Sequence, residues 1–362
     1  MTPAASPPVA LPLLADPAGY NPHTVDLIHD AEARRYWIEV FEHHLRSLRG
    51  HAVASEADLA GNAPPDAEAR ADRLVARFQA TLDRLKVEPG AYGPLNILRI
   101  CRLREEAIRE AGFSDAYRHV KASENDAALD LLPDVLAELD GHDADRLEAL
   151  VRGVFAGNVF DLGAKSTTDR FESDGFDFRR TRREIDPRPW VVDDFDALAS
   201  RWNGGGYRKA VVFVDNAGAD VVLGMLPLCR ELARRGATVV MTANSEPALN
   251  DITIDELRPV LDRAAAVDAE LAEALGDGRL VAVPSGNDAP LIDLRGVSPE
   301  LAAAAGDADL LILEGMGRAI ETNFHARFTC DTLKLAVIKE EHLARMLGGR
   351  LYGAVCRFDA GW

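Results

Sequence analysis

Ala210-Val211-Val212-Phe213-Val214-Asp215-Asn216-Ala217-Gly218-Ala219-Asp220 decides the fold. Its first five residues form a short, unbroken apolar run, rich in β-branched side chains, after the turn-forming Gly204-Gly205-Gly206. Such a run predicts a strand buried on both faces. Val221, Met225, Leu228 and Leu232 then recur at helical spacing, and Gly236 closes the helix. Similar apolar runs at 237–242, 279–283, 308–313, 334–338 and 351–356 predict further strands. Helical patterns at 254–275, 298–305 and 339–347 separate most of them. Alternation of this kind predicts a three-layer α/β/α, Rossmann-like unit with a largely parallel sheet.

Towards the N-terminus the period changes. Segments 24–49, 66–86, 93–111, 126–139 and 143–156 repeat apolar residues at three- and four-residue steps, as Trp37, Val40 and Phe41 or Leu74, Phe78 and Leu82 do. Strand patterns are missing there. Pro3, Pro7, Pro8, Pro12, Pro17 and Pro22 make the first stretch extended. The expected organisation is an extended lead-in at 1–22, an α-helical domain at 23–165 and an α/β domain at 166–362.

The chain has 362 residues, with 41 Lys and Arg against 59 Asp and Glu, a formal charge of −18. This balance argues against nucleic acid as a partner, because neutralising phosphates needs clustered cations. A small phosphate ester stays admissible, since one metal ion and a few basic groups invert the local field. The first basic residue is Arg34, so no charged n-region of a signal peptide is expected. No apolar run reaches the ~18–20 residues of a membrane span. Cys101, Cys229, Cys330 and Cys356 lie far apart, which suggests neither a disulfide framework nor a zinc knuckle. The expectation is a reduced, soluble, cytoplasmic protein with no membrane partner. A homodimer suits an enzyme of this size, though no residue indicates one.

In an open parallel sheet, ligands gather at the carboxyl ends of the strands. Four successive predicted strands end in polar or small residues: Asp215-Asn216, Asn244-Ser245 with Asn250-Asp251, Ser285-Gly286-Asn287-Asp288, and Glu314-Gly315-Met316-Gly317-Arg318. Asp215 and Asn216 offer oxygens suited to a hard divalent cation, and Asp251 could add a third. The alternative is that Asp215 or Asn216 merely caps the following helix. Arg318 and Lys334 are the cationic candidates for phosphate contact. Gly157-Asn158-Val159-Phe160-Asp161 interrupts an apolar helix with two polar side chains, or else caps it. Other patterns fail. Gly315-Met316-Gly317 lacks the third glycine of a dinucleotide fingerprint, and Ala217 stands where a dehalogenase-type motif needs a second Asp.

Asp215-Asn216-Ala217-Gly218, Asn250-Asp251-Ile252-Thr253 and Glu314-Gly315-Met316-Gly317-Arg318 together resemble the metal-dependent damage-control phosphatases, first catalogued as domain of unknown function 89. The Glu314–Arg318 run is similar to the signature of subfamily II, which includes the phosphatase part of pantothenate kinase 4. The likeness covers nearly the whole chain, from Leu11-Pro12-Leu13-Leu14 through Ala91-Tyr92-Gly93 and Asn158 to Thr332-Leu333-Lys334 and Gly348-Gly349-Arg350-Leu351. No kinase segment precedes these motifs, so a phosphatase alone is expected. Ala217-Gly218-Ala219 varies within the first motif, and Phe324 replaces an expected Tyr.

The resemblance implies Asp215, Asn216 and Asp251 as metal ligands, with the 36-residue step from Asp215 to Asp251 matching the family pattern. The metal would be Mg, Mn, Co or Ni. Asp220 and Asp161 are the candidates for base or nucleophile beside Asp215 and Asp251. Asn158, Ser245, Asn250, Gly315, Gly317, Arg318 and Lys334 would bind substrate. The expected activity is hydrolysis of small phosphate monoesters, 4′-phosphopantetheine or its oxidised and damaged forms first, in coenzyme A metabolism. Sugar phosphates are the alternative within the family. The rival enzyme class is an S-adenosylmethionine-dependent carboxyl methyltransferase, and the non-enzyme rival is a docking module with a degenerate α/β half.

Overall fold

The computed structural model describes residues 7–57, 61–142, 145–159 and 178–362. Its strands are β1 (Val192–Asp193), β2 (Lys209–Phe213), β3 (Thr238–Ala243), β4 (Leu280–Pro284), β5 (Leu310–Glu314), β6 (Asp331–Val337) and β7 (Ala354–Asp359). They form one sheet in the order β1-β7-β6-β5-β2-β3-β4. All neighbouring pairs are parallel except β6 with β7. The chain runs from β2 outward through β3 to β4, then returns to lay β5 on the other side of β2. At such a switch point the loops leaving the two central strands diverge to opposite faces, and a crevice opens at their carboxyl ends. Asp215 and Glu314 stand at those two ends.

Strand side chains alternate between two cores. Val211, Phe213, Val240, Leu311 and Leu313 enter one; Ala210, Val212, Val239, Met241, Leu310 and Ile312 enter the other. Both faces are covered, so the apolar runs are continuous rather than alternating.

The N-terminal half supplies part of each cover. It folds into α1 (Ala31–Ala54), α2 (Ala67–Val87), α3 (Ile97–Glu110), α4 (Arg118–Asp140) and α5 (Arg146–Val159). Apolar stripes of α1 to α3 share the first core, whereas those of α4 and α5 share the second. The expected domain boundary at 165/166 falls outside the described residues. Residues of the lead-in cross the α/β half: Leu11, Leu13 and Leu14 are buried, Leu11 N donates to Leu294 O at 2.8 Å, and Asn323 N donates to Pro22 O at 2.7 Å.

After α5 come α6 (Phe178–Glu184), α7 (Phe195–Asn203), α8 (Leu226–Arg234), α9 (Ile254–Ala265), α10 (Ala269–Gly276), α11 (Pro299–Ala305) and α12 (Glu341–Met346). The continuous helix expected over 254–275 is broken, because the Asp268 carboxylate accepts from Leu271 N and starts a new helix. Two turns, Asp220–Met225 and Gly317–Glu321, are π-helical. Such widened turns cluster at functional sites, and here each follows one of the two central strands.

The packing of α5 on the first π-helical turn is set by Gly157. A Cβ there would lie 2.7 Å from Asp220 Cα and 2.9 Å from Ala219 O, backbone atoms that cannot swing aside. Gly157→Ala should therefore cost about 1–3 kcal/mol, read as a lower melting temperature. Gly50→Ala in α1, where a Cβ meets nothing within 4 Å, should be neutral or stabilising.

Candidate active site

The backbone brings the two acid–amide pairs together. Ala217 N donates to Asn250 O at 2.9 Å and Ile252 N donates to Asp215 O at 3.0 Å, so Asn216 and Asp251 lie opposite one another. From the next strand end, Glu314 Oε2 accepts from Asp215 N at 3.0 Å. Gly315 follows at φ +94°, and a Cβ there would collide with the Asp215 carboxylate at 2.1 Å. Only glycine suits both the left-handed backbone and that approach.

Asp215, Asp220 and Glu314 form a buried acidic triad, one oxygen of each lying within 4.8 Å of the others. Amide donors hold it. Asn158 Nδ2, from the end of α5, donates to Glu314 Oε1 at 2.7 Å and to Asp220 Oδ2 at 3.1 Å, while its Oδ1 accepts from Val337 N at 3.0 Å. Asn216 Nδ2 donates to Asp220 Oδ2 at 2.7 Å and to Asp215 Oδ2 at 3.1 Å. Burial pushes the Asp220 carboxyl up. Burial and then the charge of Asp220 push Glu314 well above the ordinary carboxylate range. Lys339, itself buried, counters both and donates to Asn158 O at 2.7 Å.

Arg318 joins this cluster to Asp251. Rooted in the second π-helical turn, it donates to the Asp215 carboxylate, to Asp251 Oδ2 at 2.7 Å and to Asn244 Oδ1 at 3.0 Å. Lys121 of α4 supports Asp251 from the opposite side. Its ammonium reaches Asp115 and Glu256 at 2.8 Å each and Asp251 O at 3.4 Å. Glu256 closes the capping box with Thr253 that starts α9 immediately after Asp251. Above the cluster is a chamber of ≈ 70 Å³ whose walls include Asp215, Asn216 and Asp251 below and Phe41, Ile97 and Arg104 above.

The donor set suits a divalent cation. Asp215 and Asp251 supply hard carboxylate oxygens beside Asn216, Asp220 and Glu314 add buried negative charge behind them, and Asp220 Oδ1 has no hydrogen-bond partner among the described residues. Carboxylates so crowded need protons or a cation to be tolerated in a low-dielectric interior.

A family model described as the damage-control phosphatase ARMT1-like domain matches residues 50–355. The chain belongs to this family. Among its relatives, pantothenate kinase 2 of Arabidopsis thaliana is 46% identical over 378 residues, covering 96% of this chain and 41% of that protein. A damage-control phosphatase of the same plant is 45% identical, covering 89% of this chain and 87% of its own length. The 4′-phosphopantetheine phosphatase of Mus musculus is 37% identical, covering 98% of this chain and 49% of its own length. The chain thus spans less than half of the pantothenate kinase and of the mouse phosphatase. A structure of a DUF89 family protein from Pyrococcus horikoshii superposes with a TM-score of 0.61 at 17% identity, covering 88% of this chain and 96% of that one. That likeness is one of fold.

In this member of the family, Asp215, Asn216, Asp220, Asp251, Asn158, Gly315, Gly317 and Arg318 all lie in or against the cluster. Asn250 is fully buried there; its carbonyl is engaged by Ala217 N, and its side-chain amide has no hydrogen-bond partner among the described residues. Ser245 lies apart, its Oγ accepting from Gly286 N at 2.8 Å in the next loop. Asp161 is outside the described residues.

Lys334 lies on β6, fully buried. Its ammonium donates to Phe324 O at 3.0 Å, Ala326 O at 3.2 Å and Asp359 Oδ2 at 3.1 Å. Burial brings its pKa down to about 8. The side chain is spent on carbonyls of a loop beneath β6, and the cation beside the acidic triad is Lys339. Lys339, Arg104 and Lys121 are contributors that sequence reasoning missed; Glu314 was placed at this edge without a role of its own. Glu314 and Lys339 did leave a signal, each being a charged residue directly after an apolar strand run.

A sign follows for the effect of pH. Carboxyls raised in the folded chain favour folding while protonated, and that contribution is lost as pH rises through their raised values. A divalent cation held beside these carboxyls favours their charged forms, so its stabilising effect should increase with pH between ~5.5 and ~8. Melting temperatures measured across this range, with and without Mg or Mn, check the slope; a shift independent of pH would contradict it.

Proposed function

We propose that this chain is a metal-dependent phosphomonoesterase acting on 4′-phosphopantetheine or an oxidised or damaged derivative of it. The observation that carries the reading is the clustering of Asp215, Asn216, Asp251 and Arg318 at the switch point of the sheet, against a half-open chamber. The mouse relative's name, 4′-phosphopantetheine phosphatase, supports the substrate class.

Asp215, Asn216 and Asp251 are the oxygen-bearing residues of the cluster that face the chamber, and they would hold the cation, Mg, Mn, Co or Ni. When bound, the ion supplies Lewis-acid polarisation of the phosphoryl group and offsets its negative charge. Arg318, paired with both carboxylates, holds them in place and offsets their charge beneath the phosphoryl group. Asp220 and Glu314 lie behind this floor. They fix the amides of Asn216 and Asn158, and Lys339 limits their mutual repulsion. The apolar upper wall excludes water from the phosphoryl group and strengthens every one of these interactions.

The test is phosphate release from 4′-phosphopantetheine, small sugar phosphates and p-nitrophenyl phosphate with each of the four metals. Turnover should be metal-dependent and fastest on 4′-phosphopantetheine. Asp251→Ala and Asp215→Ala should each lose about 10²–10³-fold in kcat while keeping a native circular dichroism spectrum. Full activity in Asp251→Ala would sink the ligand assignment. Absence of turnover on every ester with every metal would sink the activity, and preference for a sugar phosphate would move the substrate class.

A further inference from the structure

Arg104 lies on α3, in the helical half, and is 3% exposed. Its Nε donates to Glu105 Oε1 at 2.9 Å, and Nη2 lies 2.8 Å from the same oxygen. Yet Nη2 is not aligned to donate there and has no hydrogen-bond partner among the described residues. The guanidinium carbon stands 5.8 Å from the centroid of the Phe41 ring on α1. Arg104 and Glu105 are consecutive on one helix, so their ion pair ties no two elements together. A buried pair of this kind costs desolvation without a packing return. Ordinary structural reasons therefore leave this arginine unexplained.

The chamber accounts for it. Among the described residues lining it, the carboxylates are Asp215, Asp251, Glu321 and Glu340, and Arg104 is the single Arg or Lys. Arg318 is not part of the lining; it lies in the floor, committed to Asp215 and Asp251. A phosphate entering the chamber thus meets four lining acids and one lining cation, the latter supplied by the helical half. An arginine with an unused N–H in a water-poor chamber is suited to charge-assisted contact with a phosphate oxygen.

Resting on the phosphatase reading above, we propose that Arg104 binds the phosphoryl group of the substrate from the helical side, completing the cradle whose floor is Asp215, Asn216 and Asp251. It recognises phosphate as such, so its effect is common to esters of different alcohols. The helical half is then part of the phosphate site as well as its cover.

The experiment compares wild type with Arg104→Lys, Arg104→Met, Glu105→Gln and the double variant Arg104→Met/Glu105→Gln, all as the full metal-loaded chain. The double variant removes both charges, which avoids leaving Glu105 buried and unpaired. Inorganic phosphate is the probe, bound in titration calorimetry and used as a competitive inhibitor. Arg104→Met and the double variant should weaken phosphate binding and raise KM by about 10–100-fold for both 4′-phosphopantetheine and p-nitrophenyl phosphate. Arg104→Lys should recover part of this, and Glu105→Gln should bind phosphate at least as well as wild type. A double variant with native melting temperature and unchanged phosphate affinity would overturn the proposal. An effect confined to 4′-phosphopantetheine would also overturn it, since Arg104 would then read the alcohol. If wild type hydrolyses no ester, the activity fails, but the calorimetric comparison still decides the role of Arg104.

Discussion

The structure is organised around the cost of burying like charge. Asp215, Asp220 and Glu314 converge at the ends of two adjacent strands, with Asp251 one guanidinium away. Left alone, such a group would repel itself apart or refuse burial. Each neighbouring feature offsets part of that repulsion. Asn158 and Asn216 donate amide hydrogens, Lys339 and Arg318 bring positive charge, and Gly315 removes the side chain that would keep Glu314 and Asp215 apart. The two π-helical turns start at or beside these residues and aim Asp220 and Arg318 inward. An interior that accepts this much acid at one point is prepared for a cation.

The division between a helical half and an α/β half does not divide the site. Strand-end loops provide the acids, but Asn158 comes from α5, Lys121 from α4, and the wall with Phe41, Ile97 and Arg104 from α1 and α3. The helices also cover both faces of the sheet, which lets the central strands be apolar on both sides. The same contacts that bury the strands therefore shape the chamber. A parallel sheet with a switch point offers a crevice to any ligand; the helices narrow it and add their own side chains to its lining.

Much of this was legible in the amino-acid order. Runs such as Ala210–Val214 announce strands because both of their faces are buried, and the stripe of Trp37, Phe41 and Leu45 announces a helix with one wet side. Asp215, Asn216, Asp251 and Arg318 stood out because they follow strands, where a doubly wound sheet collects function. What escaped depends on direction rather than position. Lys334 and Lys339 both flank the β6 run, and only side-chain geometry shows that one serves loop carbonyls and the other the acids. Arg104 sits among Arg99, Arg102 and Arg109 on an amphipathic helix, a pattern indistinguishable from a solvated face. The two residues of β1 are too few to carry any period, and a π-helical turn leaves an apolar spacing close to that of an α-helix.

The extended lead-in has a bearing on the order in which the molecule is assembled. Its backbone pairs with the stretch that follows Arg318: Asn323 N donates to Pro22 O, Thr24 N donates to Glu321 O, and the Tyr20 hydroxyl donates to Asn323 Oδ1 across 303 positions of sequence. None of these contacts can exist until the ribosome has passed residue 323, nor can the seat of Arg318 be framed before then. The lead-in must wait for a segment made 303 positions later, and the interval is long for closure of a loop. Throughout that wait the acids that follow β2 are already in the chain without their guanidinium, so the charge balance on which the centre depends is completed only after the acids themselves are made.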